Sequence, residues 1–378
     1  MKKKRDNVER FNGAEDLDKA LAMNRLKNQK RRKQRRILIT VEIFVMLILA
    51  IVAFVLLKVF KINFTGLDPN KLEIYKDTGP YTNIALFGLD SRDGQLKGGV
   101  QSDTMIIASI NNKTYEVKLV SVYRDTLTFQ SNKRYEKANA AYNMGGPAGA
   151  VALLNRNLDM DIKAYASVDF RAVTDAVDAL GGIDVKMTAE EVKWMNGYAT
   201  ETSKVVGQKK PALIHGAGVH HLNGVQAVSY ARIRYTNGND MKRAQRQRIV
   251  LQKIFDKAKK SNFLKLSKAV DKIFPKVETS LTIKDMLGIA AHLNKYKIAS
   301  QHGFPFECTT SENVSGHPGS YVVACGMEKN VKELHKYLFD DEKYEPSPKV
   351  KAINNDIINM TGIGPDTAAI DLSGIGDK

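Results

Sequence analysis

Tyr230-Ala-Arg-Ile-Arg-Tyr-Thr-Asn-Gly-Asn-Asp-Met-Lys-Arg-Ala-Gln-Arg-Gln-Arg248 is the stretch on which the reading of this chain turns. Arg232 and Arg234 lie two apart, with Ile233 between them and Ala231 before, a period that predicts a strand with both guanidinium groups on one face. Asn237-Gly238 is a turn signal, and Asn239 or Asp240 can cap a helix starting there. From Met241 the period becomes helical, with Met241, Ala244, Leu251, Ile254, Phe255 and Ala258 as an apolar stripe. Arg243 is three residues from Arg246 and four from Gln247, so these side chains are expected to project together. A strand and a helix N-terminus then converge, bringing several guanidinium groups, a positive dipole end and the Asp240 carboxylate. That combination suits a multiply charged anion such as phosphate or pyrophosphate. A solvated basic face is the plainer alternative. Against it, arginines within an apolar strand need a partner when buried, and a bound anion is one.

The chain has 378 residues, 43% hydrophobic and 26% charged, the composition of a globular protein with room for one large core and appendages. Its net charge of +17 would fit a nucleic-acid partner, but the charge is unevenly placed. Residues 1–36 hold 14 Lys/Arg against 5 Asp/Glu, so +9 sits in that arm alone. Residues 37–57 continue as ILITVEIFVMLILAIVAFVLL, interrupted in charge only by Glu42. As a helix this run would span ~30 Å, the thickness of a bilayer core. It is too long for the apolar part of a cleaved signal peptide, and no A-x-A site comes after it. The Lys/Arg excess before it predicts a cytoplasmic N-terminus and an external remainder, and anionic lipid accounts for the basic arm without nucleic acid. Cys308 and Cys325 would then both lie outside, where a disulfide is allowed and its formation stays open. No C-x-x-C or Cys/His metal spacing occurs.

Beyond the apolar run, residues 58–80 read as a stalk broken by Gly66, Asp68-Pro69 and Gly79-Pro80. Strands are expected at Asn83–Gly88, Thr104–Ile110, Val117–Val122, Tyr165–Phe170 and from Ile183. Helices are expected over Pro147–Asn157, Ala172–Leu180, from Met241 to about Lys260, and over Met327–Phe339. This alternation predicts a three-layer α-β-α sandwich around a central mixed sheet, covering 81–342. Residues 343–378, poor in aromatics and rich in Gly, Asn and Asp, are expected to form an extended or disordered tail.

Functional groups recur at the strand ends. Asp90 and Arg92 come after the first strand, Asp103 precedes the second and Arg124 comes after the third. Such ends are where α/β sheets place ligands. Two carboxylates suit a hard cation such as Mg²⁺, which binds one or two carboxylates together with phosphate oxygens. Arginines suit the phosphates themselves, and the combination is what phosphoryl transfer requires. Unrelated surface turns remain the plainer reading.

These segments resemble a known family. Leu86-Phe-Gly-Leu-Asp90-Ser-Arg92, Ser102-Asp103-Thr-Met105, Ser121-Val-Tyr-Arg124-Asp-Thr126, His221-Leu-Asn-Gly224 with Tyr230-Ala-Arg232-Ile-Arg234, and Asp240-x-x-Arg243-x-x-Arg246-Gln247 are similar to the motifs of the LytR-CpsA-Psr family. The resemblance implies an extracellular phosphotransferase of Gram-positive bacteria, held by one transmembrane helix. Such an enzyme moves a teichoic acid, capsule or related glycopolymer from a polyprenyl-pyrophosphate carrier to peptidoglycan. It also implies Mg²⁺ or Mn²⁺ at Asp90 and Asp103, with Asp90 and Arg124 catalytic. Arg92, Arg124, Arg232, Arg234, Arg243 and Gln247 would surround the pyrophosphate, with Asp240 beside them. Gln101 departs from the family, which often has arginine there, and Tyr123 stands where proline is common. Two competing roles are a non-catalytic carrier-lipid binder and a membrane-bound transcription regulator. The metal carboxylates speak against the first, and the lack of any helix-turn-helix or zinc finger speaks against the second. His215, His220 and His221 cluster without metal-binding spacing, which fits packing or turn roles better.

Overall fold

The computed structural model describes residues 61–90, 99–235, 239–312 and 318–372, together with Met23, Lys27, Lys30, Lys33, Met46, Lys58, Leu96 and Val314. The chain divides into two units, 1–58 and 59–378, and the second carries the fold. Among the described residues no helix is long and apolar enough to cross a membrane. The expected span at 37–57 falls almost wholly outside them, as does Arg92.

Seven strands build one mixed sheet: β1 (Asn63–Phe64), β2 (Tyr81–Leu89), β3 (Ser102–Asn111), β4 (Glu116–Val122), β7 (Ala164–Asp169), β10 (Val277–Thr279) and β11 (Lys297–Phe304), in the order β1-β10-β7-β2-β3-β4-β11. β2 runs parallel to β7 and antiparallel to β3, which in turn runs antiparallel to β4. Short ribbons β5 (Leu127–Phe129) with β6 (Tyr135–Lys137), β8 (Ile183–Met187) with β9 (Gly218–Leu222), and β12 (Cys308–Ser311) with β13 (Tyr321–Ala324) lie outside it. The expected strand from Ile183 therefore forms, but in a ribbon of its own.

Alternation along the strands divides the sheet's two faces. Ala85, Phe87, Met105, Ile107, Val120 and Val122 pack in one core with α1 (Ala140–Leu158), α8 (Met327–Phe339) and α9 (Pro348–Thr361). Leu86, Ile106, Ala108 and Leu119 face the other way, toward Leu251 of α5 (Asn239–Lys259). On that side also lie α2 (Phe170–Ala179), α3 (Ala189–Val206) and α4 (Gly224–Ala231). Helices α6 (Phe263–Ile273) and α7 (Ile283–Ala291) connect α5 to β10 and β11.

Two expectations give way to the structure, and one open question is answered. The stalk is part of the domain. β1 pairs with β10 at the sheet edge, Leu72 is buried in the main core, and Glu73 accepts from Arg156 Nε at 2.9 Å. The tail is largely helical. The Ser347 side chain caps α9 by accepting from the Val350 amide, Pro348 takes the first turn, Gly362 ends it in the left-handed conformation, and Val350, Ile353 and Ile357 are buried. Asp159 fastens this segment by accepting from Tyr344 Oη at 2.5 Å and from the Ser347 amide and hydroxyl at 2.7 Å. Lastly, Cys308 and Cys325 are free buried thiols. Cys308 pairs in register with Ala324, so neighbouring Cys325 points to the opposite face and joins a different core cluster.

Candidate active site

Tyr230 and Ala231 are the last turn of α4, and Arg232 is its C-cap, so the expected strand at 230–234 does not form. The helix begins in a capping box: the Asn223 side chain accepts from the Gln226 amide while Gln226 caps the Asn223 amide. Arg232 and Arg234 therefore leave a helix end rather than a sheet face. The loop that carries them is held by Arg246, whose Nη1 donates to the Ile233 carbonyl at 3.1 Å and whose Nε donates to Glu191 at 2.9 Å. Arg246 thus turns away from Arg243 and braces the loop, whereas Arg243 and Gln247 both border a cavity.

Asp103 is the second residue of β3, and Arg124 stands two residues past the end of β4. Arg124 Nη1 donates to Asp103 Oδ1 at 2.8 Å and Arg234 Nη2 to Oδ2 at 3.1 Å; Arg243 Nη1 lies 3.6 Å from Oδ2. Asp240, in the first turn of α5, answers the same arginines: Arg243 at 3.1 Å, Arg124 at 3.3 Å and Arg234 at 3.8 Å. Burial alone would raise both carboxyls, but the charges of Arg243, Arg124 and Arg234 outweigh it and hold Asp103 and Asp240 below the usual carboxylate range. Burial also pushes Arg243 down, to about 10, despite Asp240 and Asp103; that still leaves it charged at neutral pH. Arg232 stands apart from this lattice. Its Nη1 donates to Thr202 Oγ1 at 3.0 Å and Nη2 to Glu201 at 3.2 Å, and its guanidinium lies 5.0 Å from the Phe170 ring centre and 5.6 Å from that of Tyr198.

The cavity behind the arginines measures about 440 Å³ and lies between the sheet and α2–α5. Its walls include Leu86, Ile106, Val168, Val173, Val228, Val250, Leu251 and Ile254, and its polar border includes Asp90, Asp103, Asp169, Glu201, Arg232, Arg234, Arg243 and Gln247. Gly88 leaves room for the Thr104 side chain at this border, since a Cβ there would come within 2.8 Å of Thr104 Oγ1. An apolar chamber closed by guanidinium groups fits an amphiphile with an anionic head.

The family model for LytR_cpsA_psr proteins matches residues 59–336. The chain belongs to the LytR-CpsA-Psr family. It is 29% identical over 246 residues to the polyisoprenyl-teichoic acid–peptidoglycan teichoic acid transferase TagV of Bacillus subtilis strain 168, covering 63% of this chain and 60% of that protein. The chain thus spans about three fifths of that relative's length. Among solved structures, TagT bound to LIIa-WTA superposes with a TM-score of 0.58 at 21% identity, covering 74% of this chain and all of that one. TagT with bound octaprenyl pyrophosphate lipid gives 0.50 at 19% identity over 79% of this chain and all of that one. At those identities the structural likeness is one of fold.

Of the seven residues expected around an anion in this LytR-CpsA-Psr domain, Arg124, Arg234, Asp240 and Arg243 share one lattice of ion pairs, while Arg232 and Gln247 border the cavity beside it. Arg92 is outside the described residues. Glu201, Thr202, Phe170 and Tyr198, which grip Arg232, were not singled out from the sequence; they lie about thirty residues or more upstream and carry no local signal. Gln101 accepts from Asn139 Nδ2 at 3.3 Å. His221 lies 2.7 Å from Asp184 and bonds the Gly181 carbonyl at the β8–β9 ribbon, a turn role.

The donor set is compatible with Mg²⁺. Asp103 accepts one guanidinium hydrogen bond on each oxygen, which uses two of the roughly four lone-pair sites of a carboxylate. Asp90 is exposed on the cavity border. Among the described residues no three His, Cys, Asp or Glu side chains are placed to hold a metal ion by themselves, so a cation here would complete its shell with phosphate oxygens and water, as Mg²⁺ commonly does.

Proposed function

We propose that this chain is a membrane-anchored phosphotransferase that moves a teichoic acid, capsule or related glycopolymer from a polyprenyl-pyrophosphate carrier to peptidoglycan outside a Gram-positive cell. The observation that carries the reading is the apolar cavity closed by Arg232, Arg234 and Arg243, which matches a prenyl chain ending in pyrophosphate. The names of TagV and of the lipid-bound TagT structures support the same chemistry.

In this reading the prenyl chain lies against Ile106, Val168 and Leu251, while the guanidinium groups neutralise the two phosphates. An acceptor sugar hydroxyl attacks the phosphorus attached to the glycopolymer. The bond from that phosphorus to the bridging oxygen breaks, polyprenyl phosphate leaves, and a phosphodiester forms. Asp90, exposed at the border, takes the hydroxyl proton. Mg²⁺ or Mn²⁺, held chiefly by Asp103 with Asp90 as a lesser ligand, would supply further charge neutralisation on the phosphate oxygens. Arg124 fixes Asp103 and Asp240 together and faces the developing negative charge.

The test is transfer itself, with full-length protein in vesicles, a lipid-linked glycopolymer donor and peptidoglycan. Polymer should become phosphodiester-linked, polyprenyl phosphate should be released, and Arg124→Ala should stop both. Tight lipid binding without transfer would leave only a carrier-binding role. Topology has its own test: protease added to protoplasts should remove residues 59–378, and their protection would refute the external placement.

A further inference from the structure

The family match ends at residue 336, yet the chain continues and returns to the site. After α9, Pro365 closes on Gly326, where a Cβ would come within 3.1 Å of it. The Ile370 amide then donates to the Cys308 carbonyl at 2.9 Å. Ile370 and Leu372 are partly buried while Asp371 between them is exposed, the alternation of an extended segment with one face inward. That inward face packs on Tyr123, Met241, Ala244, Cys308 and Val322. Tyr123 immediately precedes Arg124, and Met241 and Ala244 flank Arg243 in the first turns of α5. The same patch is tied to the Arg124 loop a second time, because the Val322 amide donates to the Asp125 carbonyl at 2.9 Å.

From this packing we infer that residues 363–372 form a positioning strap, which holds the Arg124 loop and the Asp240–Arg243 turn in register from behind. The arginines themselves come from separate elements: Arg124 from the end of β4, Arg243 from α5. Their common grip on Asp103 and Asp240 depends on the spacing between those elements. Tyr123 and Met241 are the two sides of that spacing, and Ile370 and Leu372 span them. None of Tyr123, Met241, Ala244, Cys308 and Val322, on which the strap packs, lines the cavity, so its role is to place residues that do.

The inference rests on the phosphotransferase reading for its effect on turnover, but its structural part can be read separately. The test uses the full chain with Ile370→Asp/Leu372→Asp, compared with Ile370→Val as a conservative control. Backbone amides of Met241–Gln247 should exchange with solvent at least about 10-fold faster in the double variant, as expected when a local brace is lost. Inorganic pyrophosphate should bind about 10-fold more weakly, and turnover should fall about 10- to 100-fold, the scale of an ångström-sized misplacement. The far-ultraviolet circular dichroism should be unchanged, and Ile370→Val should match wild type in every readout. If the double variant fails to fold, Ile370→Ala, which removes contacts without adding charge, decides by the same measurements. Unchanged exchange at Met241–Gln247 in a folded variant would overturn the strap. A wild-type protein that neither binds pyrophosphate nor transfers polymer would count against the functional reading, and the exchange rates would still judge the strap.

Discussion

Arg246 Nη1 donates to the Ile233 carbonyl oxygen at 3.1 Å, so a buried side chain of α5 holds the turn from which Arg232 and Arg234 project. Its Nε also pairs with Glu191 of α3 at 2.9 Å. One arginine therefore ties two helices and a loop together without facing the cavity.

Arg246→Ala leaves Glu191 and the Ile233 carbonyl without this partner in a largely buried place. Stability should fall by roughly 2–4 kcal/mol, the usual cost of breaking such a pair from one side. Urea unfolding measures that loss. Pyrophosphate affinity should fall as well, because Arg232 and Arg234 lose their common anchor. A variant as stable as wild type would show that the loop is held by its other contacts.

Arg232→Lys keeps the charge but loses both the fork to Thr202 and Glu201 and the flat contact with Phe170 and Tyr198. A lysine cannot reproduce a planar, stacked, multiply donating group. The expected result is a drop in kcat/KM of about 10- to 100-fold with the fold intact. Wild-type kinetics would mean that diffuse positive charge is enough at this position.

Asp90→Asn separates two roles for that carboxylate. As a proton acceptor it should be needed for turnover but not for metal binding; as a ligand it should be needed for both. Calorimetric titration of Mg²⁺ in the presence of inorganic pyrophosphate distinguishes them, with Asp103→Asn as the ligand-loss comparison. We expect Asp90→Asn to keep most of its metal affinity, and a large loss there would reassign Asp90 to the metal.

Acid should weaken the domain in a defined window. The Arg156 hydrogen bond, opposed by burial and aided by Lys349, lowers Glu73 from 4.5 to about 2. Asp103 and Asp240 are also depressed by their arginines, against burial. A carboxyl whose folded pKa lies below its unfolded one stabilises fully above the unfolded value and loses that contribution as pH falls through the folded value. Stability should therefore be flat above about pH 5 and decline from there toward pH 2. Thermal unfolding across that range measures it. Glu73→Gln should be less stable at neutral pH and show a shallower acid slope, and an identical slope would remove Glu73 from the account.

How much of the fold and site was legible in the sequence differs by element. The strands that lead into Asp90 and Arg124, and the one that holds Asp103, announce themselves as apolar runs because they are buried on both faces. The strand expected at 230–234 was an error of period, since Arg-Ile-Arg alternates in a loop as readily as in a strand. Asn223 and Gln226 at capping-box spacing held the better signal, and they start α4. Helix α9 was likewise marked by Ser347-Pro348 before it and Gly362 after it, although its polar composition argued for disorder. By contrast β10, at three residues, is too short to show a period. In β11 a register shift between Ile298 and Ser300 breaks the alternation. The grip of Glu201 and Phe170 on Arg232 is a product of tertiary folding and leaves no mark near Arg232 in the chain.

The alternating lattice of Arg124, Arg234 and Arg243 with Asp103 and Asp240 also means that the site seats its own tenants. Each carboxylate occupies a guanidinium fork that an incoming phosphate oxygen could use, so arrival of a guest is an exchange of seats rather than the filling of a bare positive hole. A monovalent anion offers those forks nothing beyond what a tethered carboxylate already gives, and the tether favours the carboxylate. A pyrophosphate brings several charged oxygens at once and can engage all three guanidinium groups together. Under the proposed function, the lattice would therefore discriminate by valence, favouring a multiply charged head group over a singly charged anion.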